Sequence, residues 1–149
     1  MPMSTIIMIH GFGACSTQWK FLSDHLIVDH LTIHSIDLLG HGNGGKSSIR
    51  TDYSIESTFE KMIFDIDSIA DDEIILIGHS LGGYLSLMCA HQFPERIKNL
   101  VLINPLFTRE QVGPGLKIMN QLGKIFYISK DHFPNRLVKF GHELSKITH

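Results

Sequence analysis

The sequence predicts an α/β fold in which a parallel sheet carries helices on both of its faces. Three short runs, over 6–9, 74–77 and 100–103, are continuously apolar and lack the polar alternation of half-exposed strands, and amphipathic stretches separate the predicted strands. Continuously apolar strands are typical of parallel sheets that are buried on both sides, and the helices between them make the crossover connections. The chain has 149 residues, 43% hydrophobic and 19% charged, which suits one globular domain.

The first half of the chain contains two predicted strands, each followed by a predicted helix. Residues 6–9 form the first apolar run, and residues 17–27 show the spacing of an amphipathic helix. The second strand, over 31–36, leads into a glycine-rich loop. Ser54 is suited to cap the next helix, whose apolar positions keep helical spacing: Ile55, Phe59, Met62, Ile63, Ile66 and Ile69.

The second half of the chain continues the alternation of strands and helices and then becomes helical throughout, by prediction. A strand is predicted over 74–77, a helix over 84–93 that ends before Pro94, and a strand over 100–103. Further on, the chain is predicted to be helical, with an amphipathic stripe of Leu137, Phe140, Leu144 and Ile147. We therefore divide the chain into an α/β part, 1–111, and a helical segment, 112–149.

Three unusual loops follow the first three predicted strands, at 10–13, 37–45 and 78–83. The carboxyl ends of parallel strands meet at one edge of the sheet, and ligands of such sheets bind beyond that edge. The sequence therefore predicts that these loops share one rim, which is where a functional site is expected.

The third of these loops reads Gly78-His79-Ser80-Leu81-Gly82-Gly83, between an apolar run and a helix-compatible stretch. A serine that is exposed on so tight a strand-to-helix turn needs neighbours without side chains, because the backbone there is strained and closely packed. This context predicts that Ser80 is a nucleophile. The alternative is that Ser80 only caps the helix.

The first loop, His10-Gly11-Phe12-Gly13, follows a strand that is expected to lie beside the strand leading to Ser80. Glycines allow backbone to approach a substrate closely and to turn an amide towards it. We therefore predict that the N–H groups of Phe12 and Leu81 stabilise a developing oxyanion. A plain turn is the alternative for this loop.

Four ordered motifs resemble the α/β-hydrolase superfamily, and most closely its esterase, lipase and C–C hydrolase members with a helical cap. The resemblance covers about residues 5–107, and its motifs are His10-Gly11-Phe12-Gly13, Asp37-Leu38-Leu39-Gly40-His41-Gly42, Gly78-His79-Ser80-Leu81-Gly82-Gly83, and Pro94-Glu95-Arg96-Ile97 with the strand over 100–103.

The resemblance implies a partial α/β-hydrolase fold followed by an incomplete cap over 112–149. It also implies that Ser80 is the nucleophile, that the amides of Phe12 and Leu81 bind the oxyanion, and that Asp37 holds its loop while His41 packs beneath the site. The residues expected to shape the site are His10, Gly11, Gly13, Gly78, His79 and Gly82.

The resemblance does not extend to the acid and the histidine of the catalytic triad, which in this family follow later strands. Glu110 lies just after the last predicted strand, and the histidines of the helical segment are His132, His142 and His149. None of these residues is assigned as acid or base. We therefore expect a truncated chain whose last strand is an unpaired edge.

Two functions follow from this pattern. The first is a cytoplasmic serine hydrolase of a small ester, thioester or related acyl substrate, impaired because two triad members are absent. The second is a non-catalytic remnant or interaction module that pairs through its open sheet edge, either with itself or with a complementing C-terminal half.

Cofactor and metal sites are not expected. Residues 40–47 fit the phosphate-loop pattern, and Gly40, Gly42 and Gly45 fit the dinucleotide pattern. Both patterns require a helix to begin immediately afterwards, and the next convincing helix cap is Ser54. His30 and His34 lie in a predicted strand without a third ligand.

Composition excludes several classes of partner and suggests a compartment. The net charge of −2 does not favour nucleic acid, and no apolar stretch approaches the ~20 residues that span a bilayer. The N-terminus lacks the basic region of a signal peptide. Cys15 and Cys89 are too few for a disulfide framework, which favours a reducing cytoplasm.

Overall fold

The computed structural model describes residues 4–26, 29–70, 73–106 and 125–129. The strands are β1 (Ser4–Ile9), β2 (Leu31–Ile36), β3 (Ile74–His79), β4 (Ile97–Ile103) and β5 (Ile125–Ser129), and the helices are α1 (Lys20–His25), α2 (Ile55–Ile69) and α3 (Leu81–Gln92). Single 3₁₀ turns occupy Ser16–Trp19, Arg50–Tyr53 and Pro94–Arg96. Each strand predicted between residues 6 and 103 is present, and so are the helices predicted over 55–69 and 84–93, whereas the helix predicted over 17–27 starts as a 3₁₀ turn and is α-helical over Lys20–His25.

The sheet has the strand order β2-β1-β3-β4-β5. The first four strands are parallel, and β5 pairs antiparallel with β4. The predicted α/β class with a parallel sheet is thus confirmed. β1 lies beside β3, as the sequence predicted for the strands that carry the first loop and Ser80.

Strand β5 differs from what the sequence predicted. Ile125–Ser129 lies in the segment that was predicted to be helical, and it covers the edge of β4 that was expected to be unpaired. The expectation of an open edge at β4 is therefore wrong. The run Ile125-Phe126-Tyr127-Ile128 consists of β-branched and aromatic residues, which favour strands, and this was the signal available in the sequence.

Helices cover both faces of the sheet, because alternate side chains of each strand point to opposite faces. α2 and α3 pack on one face, in a cluster that includes Ile7, Ile9, Phe59, Met62, Ile66, Leu76, Leu85, Cys89, Leu100 and Leu102. α1 and the 3₁₀ turn before it cover the other face, in a cluster built on Ile6, Met8, Trp19 and Ile77. None of the helices that the structure describes combines the length and apolarity needed to cross a bilayer.

Two helix boundaries have clear local causes. Ser54 caps α2 as predicted, since its side chain accepts a hydrogen bond from the N–H of Ser57. α3 begins at Leu81, earlier than the predicted position 84, and therefore includes Gly82 and Gly83. Glycine disfavours helix by its intrinsic propensity, so the packing of this segment against β1 and β3 decides the boundary.

Candidate active site

The three loops predicted to share a rim are in contact with one another. The N–H of Leu38 donates to Nε2 of His10 at 3.0 Å, and the N–H of Gly13 donates to Nε2 of His41 at 3.1 Å. These two bonds join the first loop to the second. The first loop also touches the third, because a Cβ built on Gly11 would lie 3.1 Å from Cβ of Ser80.

Ser80 occupies a strained backbone position between β3 and α3. Its φ is +52° and its ψ is −115°, a region that residues with side chains rarely adopt and that costs of order 1–3 kcal/mol. Its side chain makes no capping hydrogen bond to α3, which argues against a role as a simple helix cap.

Backbone hydrogen bonds hold Ser80 in this conformation. Its N–H donates to the carbonyl of Ile103 at 3.1 Å, and its own carbonyl accepts from Tyr84 at 3.1 Å and from Leu106 at 3.0 Å. β4 and the residues after it therefore stabilise the turn. The contribution of Leu106 was not predicted, and no pattern in the sequence indicates it.

The glycines around Ser80 are required by close packing. A Cβ on Gly82 would lie 2.3 Å from the carbonyl oxygen of Ile9, and one on Gly78 would lie 2.5 Å from that of Gly82. Real side chains do not approach backbone so closely. These two glycines therefore allow the turn to sit directly against β1 and the first turn of α3.

The first loop is a tight turn from Gly11 to Ala14. The N–H of Ala14 donates to the carbonyl of Gly11 at 3.2 Å, and Gly13 at the third position has a φ of +76°, as type II turns require. The N–H of Gly11 is directed to Oε1 of Gln18 at 3.4 Å. Gln18 is a supporting residue that the sequence pattern did not reveal.

His10 is completely buried between the first two loops. Nδ1 lies 2.7 Å from the carbonyl oxygen of Gly11, while Nε2 accepts from Leu38. Burial lowers the pKa of His10 below its ordinary value, and the neighbouring His41 ring acts in the same direction. The imidazole is therefore expected to be neutral at pH 7.

Asp37 organises the glycine-rich loop, in agreement with the role that the resemblance implied. Its carboxylate accepts from the N–H of Asn43 at 2.8 Å and from both the N–H and the hydroxyl of Ser16, the latter at 3.1 Å. Burial opposes ionisation of Asp37, but these hydrogen bonds outweigh it and lower the pKa of the carboxyl group. A Cβ on Gly42, where φ is +46°, would lie 2.3 Å from Oδ2 of Asp37.

This loop has the wrong geometry for a phosphate loop. Gly42 packs against the carboxylate of Asp37 and Gly44 against the backbone oxygens of Asp37 and Leu38, and no helix begins directly after Ser47. The next helical element is the 3₁₀ turn Arg50–Tyr53, which precedes α2. Among the described residues no group of three or more His, Cys, Asp or Glu side chains is arranged to hold a metal ion.

His79 lies beside the first loop at the end of β3. A Cβ on Gly11 would be 2.8 Å from its Nδ1, which is buried and has no hydrogen-bond partner among the described residues. Burial lowers the pKa of His79. Its ring therefore fills space against Gly11 as a neutral group.

An open cleft of about 390 Å³ lies on the other side of the Asp37 loop, against α2. Its walls include Ser16, Asp37, Asn43, Lys61 and Asp65. It does not include Ser80, Phe12 or Leu81, so we do not assign it to the candidate active site.

The acid and base of a triad are not among the described contacts. No imidazole within residues 4–26, 29–70 and 73–106 forms a hydrogen bond with the hydroxyl of Ser80. The residues considered from sequence, Glu110, His132, His142 and His149, lie outside the part of the chain that the structure describes.

Comparison with known proteins gives a consistent family. The model of the alpha/beta hydrolase fold family matches residues 4–145. A (lyso)-N-acylphosphatidylethanolamine lipase of Bos taurus is 33% identical over 104 residues, which are 67% of this chain and 30% of the bovine protein. A protein of Oryza sativa named as a probable 1-acylglycerol-3-phosphate O-acyltransferase is 34% identical over 108 residues, 68% of this chain and 25% of that protein.

Solved structures show the same architecture. The thioesterase domain from the curacin biosynthetic pathway superposes with a TM-score of 0.66 and 26% identity, covering 69% of this chain and 38% of that domain. The chain thus spans less than a third of the curated relatives named above and well under half of this structure.

Proposed function

The chain belongs to the alpha/beta hydrolase fold family, and we propose that it is a serine hydrolase of a small ester, thioester or related acyl substrate, with Ser80 as its nucleophile. The observation that carries the proposal is the strained backbone of Ser80 at the strand-to-helix turn, with a side chain that is not used to cap the helix. Strain of this kind is typical of functional sites, where the surrounding structure maintains it.

A count of the backbone amides around Ser80 supports the assignment of the oxyanion donors. The N–H groups of Gly11, Gly13, Ala14 and Ser80 all have acceptors. Among the described residues, the N–H of Phe12 has none. The N–H of Leu81 opens α3, and the first N–H groups of a helix have no acceptor within the helix. Two donors therefore remain for a negatively charged oxygen.

The reaction we propose has two steps. Oγ of Ser80 attacks the acyl carbonyl while a general base takes its proton, and the N–H groups of Phe12 and Leu81 stabilise the oxyanion. The proton then passes to the leaving alcohol or thiol as the bond to the carbonyl carbon breaks. Water attacks the acyl-enzyme in the same manner and releases the acid.

The acyl class of substrate rests on the names of three similar proteins. The bovine relative is named a lipase, the rice relative an acyltransferase and the curacin domain a thioesterase, so all three names refer to acyl compounds. Phe12 is 74% exposed beside the Ser80 turn and would offer an apolar contact to an acyl chain. We therefore favour substrates with an apolar acyl group, and we expect the protein to act in the cytoplasm.

The acid and base are unassigned, so we expect slow turnover by this chain alone. Oxyanion donors and binding can by themselves leave a rate about 10³–10⁴-fold above that in water. We propose that the acid and the base come from a complementing C-terminal half or from self-association. The alternative of an interaction module that pairs through β4 depended on an open edge there, and β5 occupies that edge. The alternative of a non-catalytic remnant does not depend on this edge and stays a second candidate.

A fluorophosphonate probe tests the proposal, because it modifies an activated serine covalently. We expect the full chain to be labelled at Ser80, and Ser80→Ala to lose labelling completely. Ser48→Ala is the matched control, since Ser48 lies on an exposed loop, and it should be labelled like the wild type. Equal labelling of wild type and Ser80→Ala, or no labelling of the wild type at high probe concentration, would contradict the proposal.

A further inference from the structure

We infer that His10 is a positioning residue that aims the N–H of Phe12 towards Ser80 by holding the carbonyl of Gly11. The inference rests on the proposed function, because it explains how one oxyanion donor is kept in place. His10 would not touch the substrate. It would act entirely through the backbone of the first loop.

The link between the two groups is the peptide bond that they share. The carbonyl of Gly11 and the N–H of Phe12 belong to one planar trans peptide, so they point in opposite directions. The Gly11 oxygen is held by two donors, Nδ1 of His10 at 2.7 Å and the N–H of Ala14 at 3.2 Å. Fixing this oxygen therefore fixes the direction of the Phe12 N–H.

The hydrogen bonds determine which nitrogen of His10 carries the proton. The N–H of Leu38 can only donate, so Nε2 must accept from it at 3.0 Å. The proton of the neutral ring is then on Nδ1, where it donates to the Gly11 carbonyl. The His10 ring thus forms a bridge: Nε2 is bonded to the N–H of Leu38 in the second loop, and Nδ1 is bonded to the carbonyl of the peptide between Gly11 and Phe12.

The peptide on the other side of Phe12 is held as well. The N–H of Gly13 donates to Nε2 of His41, and the His41 ring lies 5.1 Å from that of His10, centroid to centroid. Rotating the Gly11–Phe12 peptide would break both bonds to the Gly11 oxygen. It would also change the contact between Gly11 and Ser80, whose Cβ would be 3.1 Å from a Cβ at Gly11.

The bridge requires a neutral His10. A proton on Nε2 would face the N–H of Leu38, so that two donors would oppose each other. The titratable groups that face the ring are His41, His79 and Asp37, with Oδ1 of Asp37 3.9 Å from Nε2. Burial lowers the pKa of His10 below its ordinary value of 6.5. Protonation of Nε2 at lower pH would break the bond from Leu38, whereas Nδ1 would still donate to the Gly11 carbonyl.

Two substitutions test the inference kinetically. His10→Phe keeps the ring volume but removes the donor, and His10→Asn keeps an N–H near the position of Nδ1. We expect His10→Phe to slow fluorophosphonate labelling about 10²–10³-fold, the effect of losing one oxyanion donor. His10→Asn should recover most of this rate, and the exposed control His91→Phe should react like the wild type.

The tautomer of the ring provides a test that does not need activity or a stable variant. In the full chain, ¹⁵N NMR of His10 should show the proton on Nδ1, and the Phe12 amide resonance should shift with the protonation of His10. Observation of the Nε2–H tautomer, or an unchanged labelling rate in a folded His10→Phe protein, would overturn the inference. A wild type with the Nδ1–H tautomer that is never labelled would instead contradict the proposed function.

Discussion

At the scale of the residue, the site is built from side chains that hold backbone in place. The loop backbone is hydrogen-bonded by the side chains of Asp37, His10 and Gln18. None of these side chains forms a hydrogen bond with Ser80. The reactive groups we propose are one hydroxyl and two main-chain N–H groups. Their geometry therefore depends on how well the surrounding loops are tied together.

Substitution of Asp37 measures how much its hydrogen bonds to the loops contribute to the free energy of unfolding. We expect Asp37→Asn to lower the free energy of unfolding at pH 7 by about 1.5–3 kcal/mol, because hydrogen bonds to a charged acceptor are lost or weakened. The pKa of Asp37 is lower in the folded state than its ordinary value of 3.8. Its stabilising effect should therefore be complete above about pH 3.8 and disappear as the pH falls through the folded-state pKa.

Urea unfolding of wild type and Asp37→Asn at a series of pH values would test this prediction. Asp24→Asn is the control, since Asp24 is exposed and its ion pair within the described part of the chain is with Lys20, on the surface of α1. That variant should be close to the wild type at every pH. A stability difference for Asp37→Asn that stays constant down to pH 2 would show that the charge of Asp37 is not involved.

At the scale of the element, α2 shows how a local signal determines a boundary. Ser54 accepts from the N–H of Ser57 at 3.1 Å, and the helix then runs to Ile69 with its buried positions on one face: Thr58, Phe59, Met62 and Ile66. The helix packs its apolar face on the sheet beside the Asp37 loop. Its start therefore affects how that loop is supported.

We expect Ser54→Ala to destabilise the protein by about 1 kcal/mol, the usual effect of removing an N-cap side chain. Thermal unfolding followed by circular dichroism would measure it. Ser68→Ala, at the exposed C-terminal end of the same helix, should change stability by less than about 0.5 kcal/mol. Equal effects of the two substitutions would mean that the cap does not stabilise α2.

At the scale of the whole molecule, β5 decides how the sheet ends. It pairs with β4 from Ile103↔Ile125 to Asn99↔Ser129, so that β4 has a partner on each side. The carbonyl of Ile103 in turn accepts the N–H of Ser80. The strand that β5 covers is therefore also one that supports the candidate nucleophile.

Hydrogen exchange can test this pairing in the intact chain. Successive N–H groups of a strand point to opposite neighbours, so both alternating sets in β4 should be protected. β2 is an internal control, since β1 is its only partner in the described sheet and one of its two sets should exchange faster. Fast exchange of alternate β4 amides would show an open edge and would favour the interaction-module alternative.

Most of the fold between residues 6 and 103 was predictable, because strand, helix and turn preferences act over a few neighbouring residues. The apolar runs, the Ser54 cap and the glycines around Ser80 carried enough information to place the candidate nucleophile and the rim it shares with the first loop. β5 was missed, although its residues favour strand, because a short apolar run is ambiguous until its partner is known.

The sequence by itself determined the order of the elements, the strand-to-helix turn at Ser80 and which loops lie around that turn. Only the tertiary structure decided that β5 closes one edge, and that His10 joins the neighbouring Gly11 to Leu38, which lies 28 residues after His10. The physical reason is that local preferences depend on neighbouring backbone and side chains. Hydrogen bonds between distant loops exist only after packing has brought their donors and acceptors to within about 3 Å of each other.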